Sequence, residues 1–205
     1  MSGTLLFASK AAVLINDMFP LLGMRSEEFN VAMITTASEI NAAMSYSQNN
    51  RQFMREQGYR YEEIDIVGKS ERTLRRFFAG CNVINMVGGD TFYLLKALKE
   101  TGCDGIIREL VAQGVAYTGA SAGTYVACPT IQMATWKSTP VETHGLTDLG
   151  ALHLLDAMVK CHYTDTLAEM LNSHSATCEY PIIPLRDSEG LIVRGEQWSV
   201  FAALA

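Results

Sequence analysis

The stretch GVAYTGASAG, residues 114–123, decides the fold that we predict for this chain. A short run typical of a β-strand leads directly into Gly119-Ala-Ser121-Ala-Gly123, the G-x-S-x-G pattern of a nucleophile elbow. In such an elbow the serine projects from a sharp strand-to-helix turn, which crowds Cβ atoms at the flanking positions. Glycine at 119 and 123 relieves that crowding. The pattern therefore predicts an accessible hydroxyl at Ser121, and its alternative interpretation is a tight turn with a structural role only.

Strand-like and helix-like segments alternate on the N-terminal side of this turn. The predicted strands cover residues 4–8, 31–35, 61–66, 81–87 and 115–118. The predicted helices cover residues 10–22, 39–57, 71–78, 92–101 and 105–113. Such alternation indicates βαβ units with right-handed crossovers. We therefore predict an α/β fold, with a mostly parallel, doubly wound sheet and helices on both faces.

A second glycine turn, Gly88-Gly89, also follows a predicted strand. In parallel sheets the ligand crevice lies at the carboxyl ends of the strands, so this turn and the elbow serine can meet at one site. Backbone N–H groups at Gly89 and Ala122 would then face a developing oxyanion. A compatible alternative is a strand-to-helix turn in which Asp90 or Thr91 caps the following helix.

An activated serine needs a general base, and the chain has four histidines. His144 lies in a polar loop, His153 in a helix-like run and His174 in a polar surface segment. His162 follows an apolar run and precedes a polar loop, which predicts a strand end beside the site. His162 is therefore the predicted base, and its alternative interpretation is a structural histidine bonded to a backbone carbonyl.

The third group of such a site is an acid, and two candidates lie after the predicted base. Asp187 and Glu189 occupy a turn, 186–190, between apolar runs 182–185 and 191–193, which we predict to pair as a C-terminal hairpin. Either carboxylate is also a residue type favoured in turns for local backbone bonding. The pattern of apolar and polar residues does not decide which of the two carboxylates is the acid.

The amino-acid composition limits the classes of function that the chain can have. The 205 residues are 48% hydrophobic and 19% charged, with a formal net charge of −6, which predicts one globular domain over residues 1–205 that binds neither nucleic acid nor an anionic membrane. No apolar stretch reaches the roughly 18 residues of a spanning helix, so a cytoplasmic location is expected. The five cysteines are scattered without a C-x-x-C pair, which predicts no disulfide framework and no zinc site. No metal or organic cofactor is expected.

Six blocks resemble a known family in sequence order: LLFASK, VAMITTAS, NMVGGDTFYLLKAL, GASAGTYVACPTI, KCHYTD and PLRDSEGLIVRG. Together they resemble the peptidase E (alpha-aspartyl dipeptidase) family of serine peptidases, whose relatives include cyanophycinase. The resemblance covers nearly the whole chain. It implies a class I glutamine-amidotransferase-like (flavodoxin-like) α/β fold, with Ser121 as nucleophile and His162 as base. It also implies an oxyanion hole formed by the backbone at Gly89 and Ala122.

The chain departs from the family pattern at the acid and at the positions next to Gly89 and His162. Alignment without gaps backwards from the strand at 191–193 places Asp187 on the family's triad acid, which is usually Glu, and leaves Glu189 as the alternative. The family's glycine turn usually continues with Asn, where this chain has Asp90, and the histidine usually follows proline, where this chain has Cys161.

The resemblance implies hydrolysis of a peptide or amide bond in a small peptide, with an Asp-X dipeptide as one expected substrate, by a monomer or a homodimer. Asp90 and Thr91 are then expected to border the substrate. One alternative is an esterase of the α/β-hydrolase type, in which the acid precedes the histidine. That alternative would pair Asp148 or Asp156 with His162 or His174. Another is an inactive small-molecule-binding homologue.

Overall fold

The computed structural model describes residues 3–40, 44–136 and 140–203, which form a seven-stranded sheet and a separate two-stranded one. The order in the large sheet is β3-β2-β4-β5-β1-β8-β9, and β6 pairs with β7. The strands are β1 Leu5–Ala8, β2 Asn30–Ile34, β3 Arg60–Ile64, β4 Val83–Met86, β5 Ala116–Ala120, β6 Met158–Lys160, β7 Ile182–Pro184, β8 Glu189–Arg194 and β9 Gln197–Ala202. β1 to β5 run parallel, whereas β8 and β9 are antiparallel. The predicted doubly wound, mostly parallel sheet is confirmed.

Six α-helices lie within the described residues: α1 Met44–Glu56, α2 Glu71–Phe77, α3 Thr91–Thr101, α4 Cys103–Ala112, α5 Ala122–Tyr125 and α6 Ala168–Ser175. The Ser70 side chain accepts the Thr73 N–H at the start of α2, and Asp90 does the same for Tyr93 at the start of α3. No helix of the described ranges is long and apolar enough to cross a membrane.

The central strands β1, β4 and β5 are buried on both faces of the sheet, and successive residues of each point to opposite faces. In β1, Leu5 and Phe7 join one core cluster, and Leu6 and Ala8 join the other. The first cluster includes apolar residues of α3 and α4, whereas the second includes Met54 of α1. Burial on both faces explains why β1 and residues 31–34 of β2 read as continuous apolar runs.

The carboxyl ends of the parallel strands gather the chemistry-bearing segments at one edge of the sheet. β1, β4 and β5 are neighbours, and each ends there. β8 runs antiparallel to β1, with Gly190 opposite Ala8, so its amino end reaches the same edge. Asp187 lies two residues before β8 and is therefore delivered to this edge by the strand pairing.

The predicted pairing of residues 182–185 with 191–193 is wrong. β7 pairs in parallel with β6 in the small sheet, where Met158 is the partner of Ile182. The C-terminal hairpin instead joins β8 to β9, with Arg194 opposite Gln197. β9 was not predicted because its segment, QWSVFA, mixes polar and apolar side chains, in keeping with a strand that is largely exposed.

Three helical predictions need correction. Residues 10–22 form a short helical start, then a π-helix over Val13–Met18 and a 3₁₀ helix over Phe19–Leu22. The helix predicted over 39–57 is α1, which begins at Met44, and part of that prediction falls outside the described residues. His153 lies outside any helix or strand, and its backbone is left-handed, with φ 50°.

Candidate functional site

Ser121 follows β5 directly and has φ 52° and ψ −107°, a conformation rarely adopted by a residue with a side chain. Its N–H donates to the carbonyl of Ala8, 3.0 Å away, which fixes the turn to the neighbouring strand β1. After Ser121 the chain enters α5. The sharp strand-to-helix turn predicted from the G-x-S-x-G pattern is therefore present.

The two elbow glycines are required by close backbone packing. A Cβ atom on Gly123 would lie 2.2 Å from the carbonyl oxygen of Met86, and one on Gly119 would lie 2.5 Å from the backbone of Gly123. The buried Tyr117 hydroxyl donates to the Gly123 carbonyl at 2.7 Å. The elbow is thus pressed against β4 by contacts that leave no room for a side chain.

His162 follows β6 and reaches the serine from the other side of the crevice. Its Nε2 lies 3.1 Å from Ser121 Oγ, and its Nδ1 lies 2.6 Å from Asp187 Oδ1. An ionised carboxylate only accepts hydrogen bonds, so Nδ1 carries the proton that is shared with Asp187. In the neutral imidazole, Nε2 is then free to accept the Ser121 hydroxyl proton. The structure brings together the three side chains that the sequence analysis selected.

Asp187, and not Glu189, is the carboxylate that contacts the imidazole. Its Oδ2 also lies 3.1 Å from Lys10 Nζ. Burial raises the pKa of Asp187, but hydrogen bonds from His162 and Lys10 outweigh burial and hold that pKa below its usual value. Glu189 instead accepts the backbone N–H of Arg186 at 2.8 Å.

Ser9 is a buried residue that contacts two parts of the site, and the sequence pattern gave it no role. The Ser9 hydroxyl donates to the carbonyl of Leu185 at 2.9 Å and accepts the backbone N–H of His162 at 3.0 Å. One side chain at the end of β1 therefore fixes both the histidine and the segment that leads to Asp187. Lys10 was missed as well. Both lie in the LLFASK block, but the block does not indicate their roles, because these depend on contacts more than 150 residues away in sequence.

The Gly88-Gly89 turn lies beside the elbow at the end of β4. Gly89 has φ 145°, and a Cβ there would lie 2.0 Å from the carbonyl of Ala37. The Asp90 N–H donates to that same carbonyl at 2.8 Å, which anchors the turn. Ala122, as the first residue of α5, has a backbone N–H without an intrahelical acceptor. Both turns thus border the serine.

Asp90 is the N-cap of α3, one of the two capping residues expected. Its Oδ1 accepts the Tyr93 N–H at 2.9 Å, and its Oδ2 lies 3.0 Å from His144 Nε2. The Lys96 ammonium donates to the His144 carbonyl at 3.1 Å, so the loop that carries His144 is docked onto α3. Thr91, the other predicted residue, is buried.

Two cavities flank the serine and share Ser121, His162 and Gly89 in their walls. The first, of about 360 Å³, contains Lys10 and Asp187 and is called the Lys10 cavity below. The second, of about 430 Å³, is called the Lys160 cavity. Its further lining includes Asp90, Thr91, Tyr125, Glu142 and Lys160.

Lys160 is a buried lysine that lines the second cavity. The residue is 7% exposed, and its Nζ donates to the Tyr125 hydroxyl at 3.3 Å. The Tyr125 hydroxyl in turn donates to the Cys161 carbonyl at 3.4 Å. Asp90 and Glu142 bring carboxylates to the same cavity. The cavity therefore combines positive and negative groups.

Cys161, which precedes the histidine, is buried and packs toward β1. Its Sγ lies 3.8 Å from the carbonyl oxygen of Ala8. Burial raises the pKa of this thiol to about 12. A thiol of that pKa is protonated at neutral pH, so Cys161 does not compete with Ser121 as a nucleophile.

Of the residues of the α/β-hydrolase alternative, only His162 contacts Ser121. Asp156 contacts His153 at 2.7 Å, whereas the Asp148 carboxylate is paired with Lys99. His174 stacks on Trp136, with ring centroids 4.0 Å apart. Among the described residues, no group of three or more His, Cys, Asp or Glu side chains is arranged to hold a metal ion.

Comparison with solved structures places this fold among peptidases. A crystal structure described as that of a candidate peptidase E protein from Listeria monocytogenes EGD-e superposes with a TM-score of 0.86, covering 100% of both chains at 26% identity. The model of peptidase family S51 matches residues 3–201. The chain therefore belongs to peptidase family S51, and this membership supports peptidase activity.

Sequence relatives agree with this assignment. The chain is 30% identical over 171 residues to an uncharacterized peptidase, Lmo0363, of Listeria monocytogenes, covering 82% of this chain and 83% of the relative. It is also 30% identical over 139 residues to peptidase E of Nostoc, covering 67% of this chain and 53% of the relative. Membership of the family to which the sequence blocks pointed is confirmed.

Proposed function

We propose that this protein is a serine peptidase that hydrolyses small peptides through Ser121, His162 and Asp187. The observation that carries this proposal is the continuous hydrogen-bonded chain from Ser121 Oγ to His162 at 3.1 Å and onward to Asp187 at 2.6 Å. A nucleophile, a base and an orienting acid within hydrogen-bond reach are the arrangement that activates a serine.

In this mechanism, His162 Nε2 removes the Ser121 proton as Oγ attacks the scissile carbonyl. Backbone N–H groups of Gly89 and Ala122 stabilise the oxyanion, and the loss of one such donor costs about 2.7–4 kcal/mol of barrier. The imidazolium then gives its proton to the leaving amine, and the acyl-enzyme forms. Water hydrolyses the acyl-enzyme by the reverse proton path, while Asp187 holds the imidazole in its reactive tautomer.

The Lys160 cavity supports an N-terminal acidic residue on the acyl side of the substrate. Asp90 and Glu142 are carboxylates that would attract the free α-ammonium group, and Thr91 lines the same cavity. Lys160 is a cation on the same wall that would attract a side-chain carboxylate. This combination favours an Asp-X dipeptide among small peptides.

The proposal is tested by turnover of a panel of Asp-X dipeptides beside matched Ala-X and Lys-X dipeptides and short acyl esters. We expect hydrolysis of Asp-X above the other dipeptides, and no turnover of any by the Ser121→Ala variant. Hydrolysis of esters without dipeptides would favour the esterase alternative. Full activity of the Ser121→Ala variant would exclude the serine mechanism.

A further inference from the structure

The two cavities beside Ser121 differ in the charge that they offer a ligand. In the Lys160 cavity two carboxylates, Asp90 and Glu142, outnumber the one amino group, that of Lys160, which suits the amino end of a peptide. These carboxylates also accept the backbone N–H groups of Tyr93 and His144. The Lys10 cavity carries an ammonium group, and its carboxylate, Asp187, is already engaged by His162 and by Lys10. A dipeptide has opposite charges at its two ends, so the two cavities fit its two ends.

From this asymmetry we propose that the Lys10 cavity binds the leaving residue of the substrate, and that the Lys10 ammonium binds the free carboxylate of that residue. The inference rests on the proposed function, since it needs the acyl residue to occupy the Lys160 cavity. His162 borders both cavities. From there its Nε2 can deliver a proton to an amine that departs into the Lys10 cavity.

Lys10 has the donors and the exposure that this role needs. An ammonium group has three N–H donors, and the structure shows one ion pair for it, with Asp187 Oδ2 at 3.1 Å. The Lys10 side chain is 58% exposed. It can therefore hold Asp187 and receive a ligand carboxylate at the same time.

The remaining walls of the Lys10 cavity suit an uncharged side chain. Phe53 and the half-exposed Tyr46, both on α1, and Ala11 and Ala12 supply apolar surface. The buried Asn50, a neutral amide, donates to the Tyr46 carbonyl and accepts from Asn85 Nδ2, so it adds no charge to the cavity. A volume of about 360 Å³ lies near the small end of the roughly 300–1,000 Å³ of small-molecule sites. One apolar residue with a free carboxylate is the chemistry that fits.

The test compares Asp-Leu with Asp-Leu amide, which share the scissile bond and differ only in the terminal charge. The ratio of their kcat/KM values is measured for the wild type and for Lys10→Met and Lys10→Arg. An exposed Lys69, replaced by Met, controls for the change in net charge. The ratio cancels any effect that Lys10 has on both substrates through Asp187.

We expect the wild type and the Lys10→Arg and Lys69→Met variants to favour the free acid by about fivefold, and Lys10→Met to lose that preference. An unchanged ratio in Lys10→Met, with both substrates slowed alike, would overturn the inference and leave Lys10 as a partner of Asp187 only.

A second experiment measures binding without turnover. Calorimetry gives the affinities of Asp-Leu and Asp-Leu amide for Ser121→Ala and for the Ser121→Ala, Lys10→Met double variant. If neither ligand is cleaved by the wild type but the binding preference still depends on Lys10, the proposed function fails and the Lys10 site stands. Equal binding of both ligands rejects the site.

Discussion

Two regions of the site meet at the Ser121 hydroxyl but are held in different ways. The elbow comprises residues 117–124, and the rim comprises His162, Asp187 and Lys10. The elbow is almost wholly buried, and its position is set by backbone packing against β1 and β4. The rim side chains are 49%, 46% and 58% exposed, and side-chain hydrogen bonds hold them in competition with water. Changes in the elbow backbone should therefore damage folding, whereas changes in the rim should damage activity and leave the fold intact.

The largest expected effect is the loss of turnover on removing the elbow hydroxyl. Ser121→Ala should lower kcat by about 10⁴–10⁶-fold, since no nucleophile remains. The Ser121 side chain makes no helix-cap hydrogen bond, so the free energy of unfolding should change by less than about 1 kcal/mol. Peptide hydrolysis and urea unfolding measure the two quantities. Ser173→Ala, on the exposed surface of α6, is the control and should keep full activity.

Next in size is the folding defect expected from a methyl group inside the elbow. Gly123→Ala would place a Cβ atom 2.2 Å from the Met86 carbonyl oxygen, which is backbone and cannot move aside easily. We expect a loss of more than about 4 kcal/mol of folding free energy. Gly105→Ala, in α4, meets no atom within 4 Å and should stabilise the chain by about 0.5–1 kcal/mol. Equal stability of the two variants, by thermal unfolding, would refute the packing of the elbow.

On the rim, Asp187→Asn should lower kcat by about 10²–10³-fold without unfolding the chain, because a neutral amide no longer fixes the His162 tautomer. Glu189→Gln should lower kcat far less, because Glu189 bonds to backbone and not to the imidazole. Steady-state kinetics of the two variants separate the candidates. Greater damage from Glu189→Gln than from Asp187→Asn would reverse the choice of acid.

The smallest expected effect is a pH-dependent contribution of the rim to stability. The folded-state pKa of Asp187 is lowered, so its ionised form stabilises the fold above its unfolded pKa, and this contribution is lost as pH falls through the folded pKa. Because both partners are half exposed, it should be less than about 1 kcal/mol. Urea unfolding should show a stability difference between wild type and Asp187→Asn that is constant near neutral pH and shrinks below about pH 4. A difference that grows in acid would contradict this sign.

The elbow could be predicted from sequence because its causes are local. Gly119, Ser121 and Gly123 lie within five residues, and the two glycines leave room for close backbone contacts that any such turn makes. The alternation of strands and helices is local too, and it was sufficient for the parallel sheet. Polar flanking sequence also singled out His162, whose left-handed backbone, with φ 57°, turns it out of β6.

The rim could be predicted only in part because its causes are long-range. Asp187 and Glu189 are only two residues apart in sequence, but Asp187 lies in the turn and Glu189 begins β8. The pairing of β8 with β1, far away in sequence, decides which of them faces the imidazole. The same pairing made the predicted 182–193 hairpin wrong. Lys10 and Ser9 lie in the LLFASK block, but only the folded chain places them beside residues 162–187 and shows what they contact.

The most direct test of the account is fluorophosphonate labelling followed by intact-protein mass spectrometry and peptide mapping. If His162 activates Ser121, the wild type should gain one adduct, located on Ser121. The Ser121→Ala variant should gain none, and His162→Ala should react far more slowly. Absence of an adduct on the folded wild type, or an adduct on another residue, would contradict the account and favour a homologue that only binds its ligand.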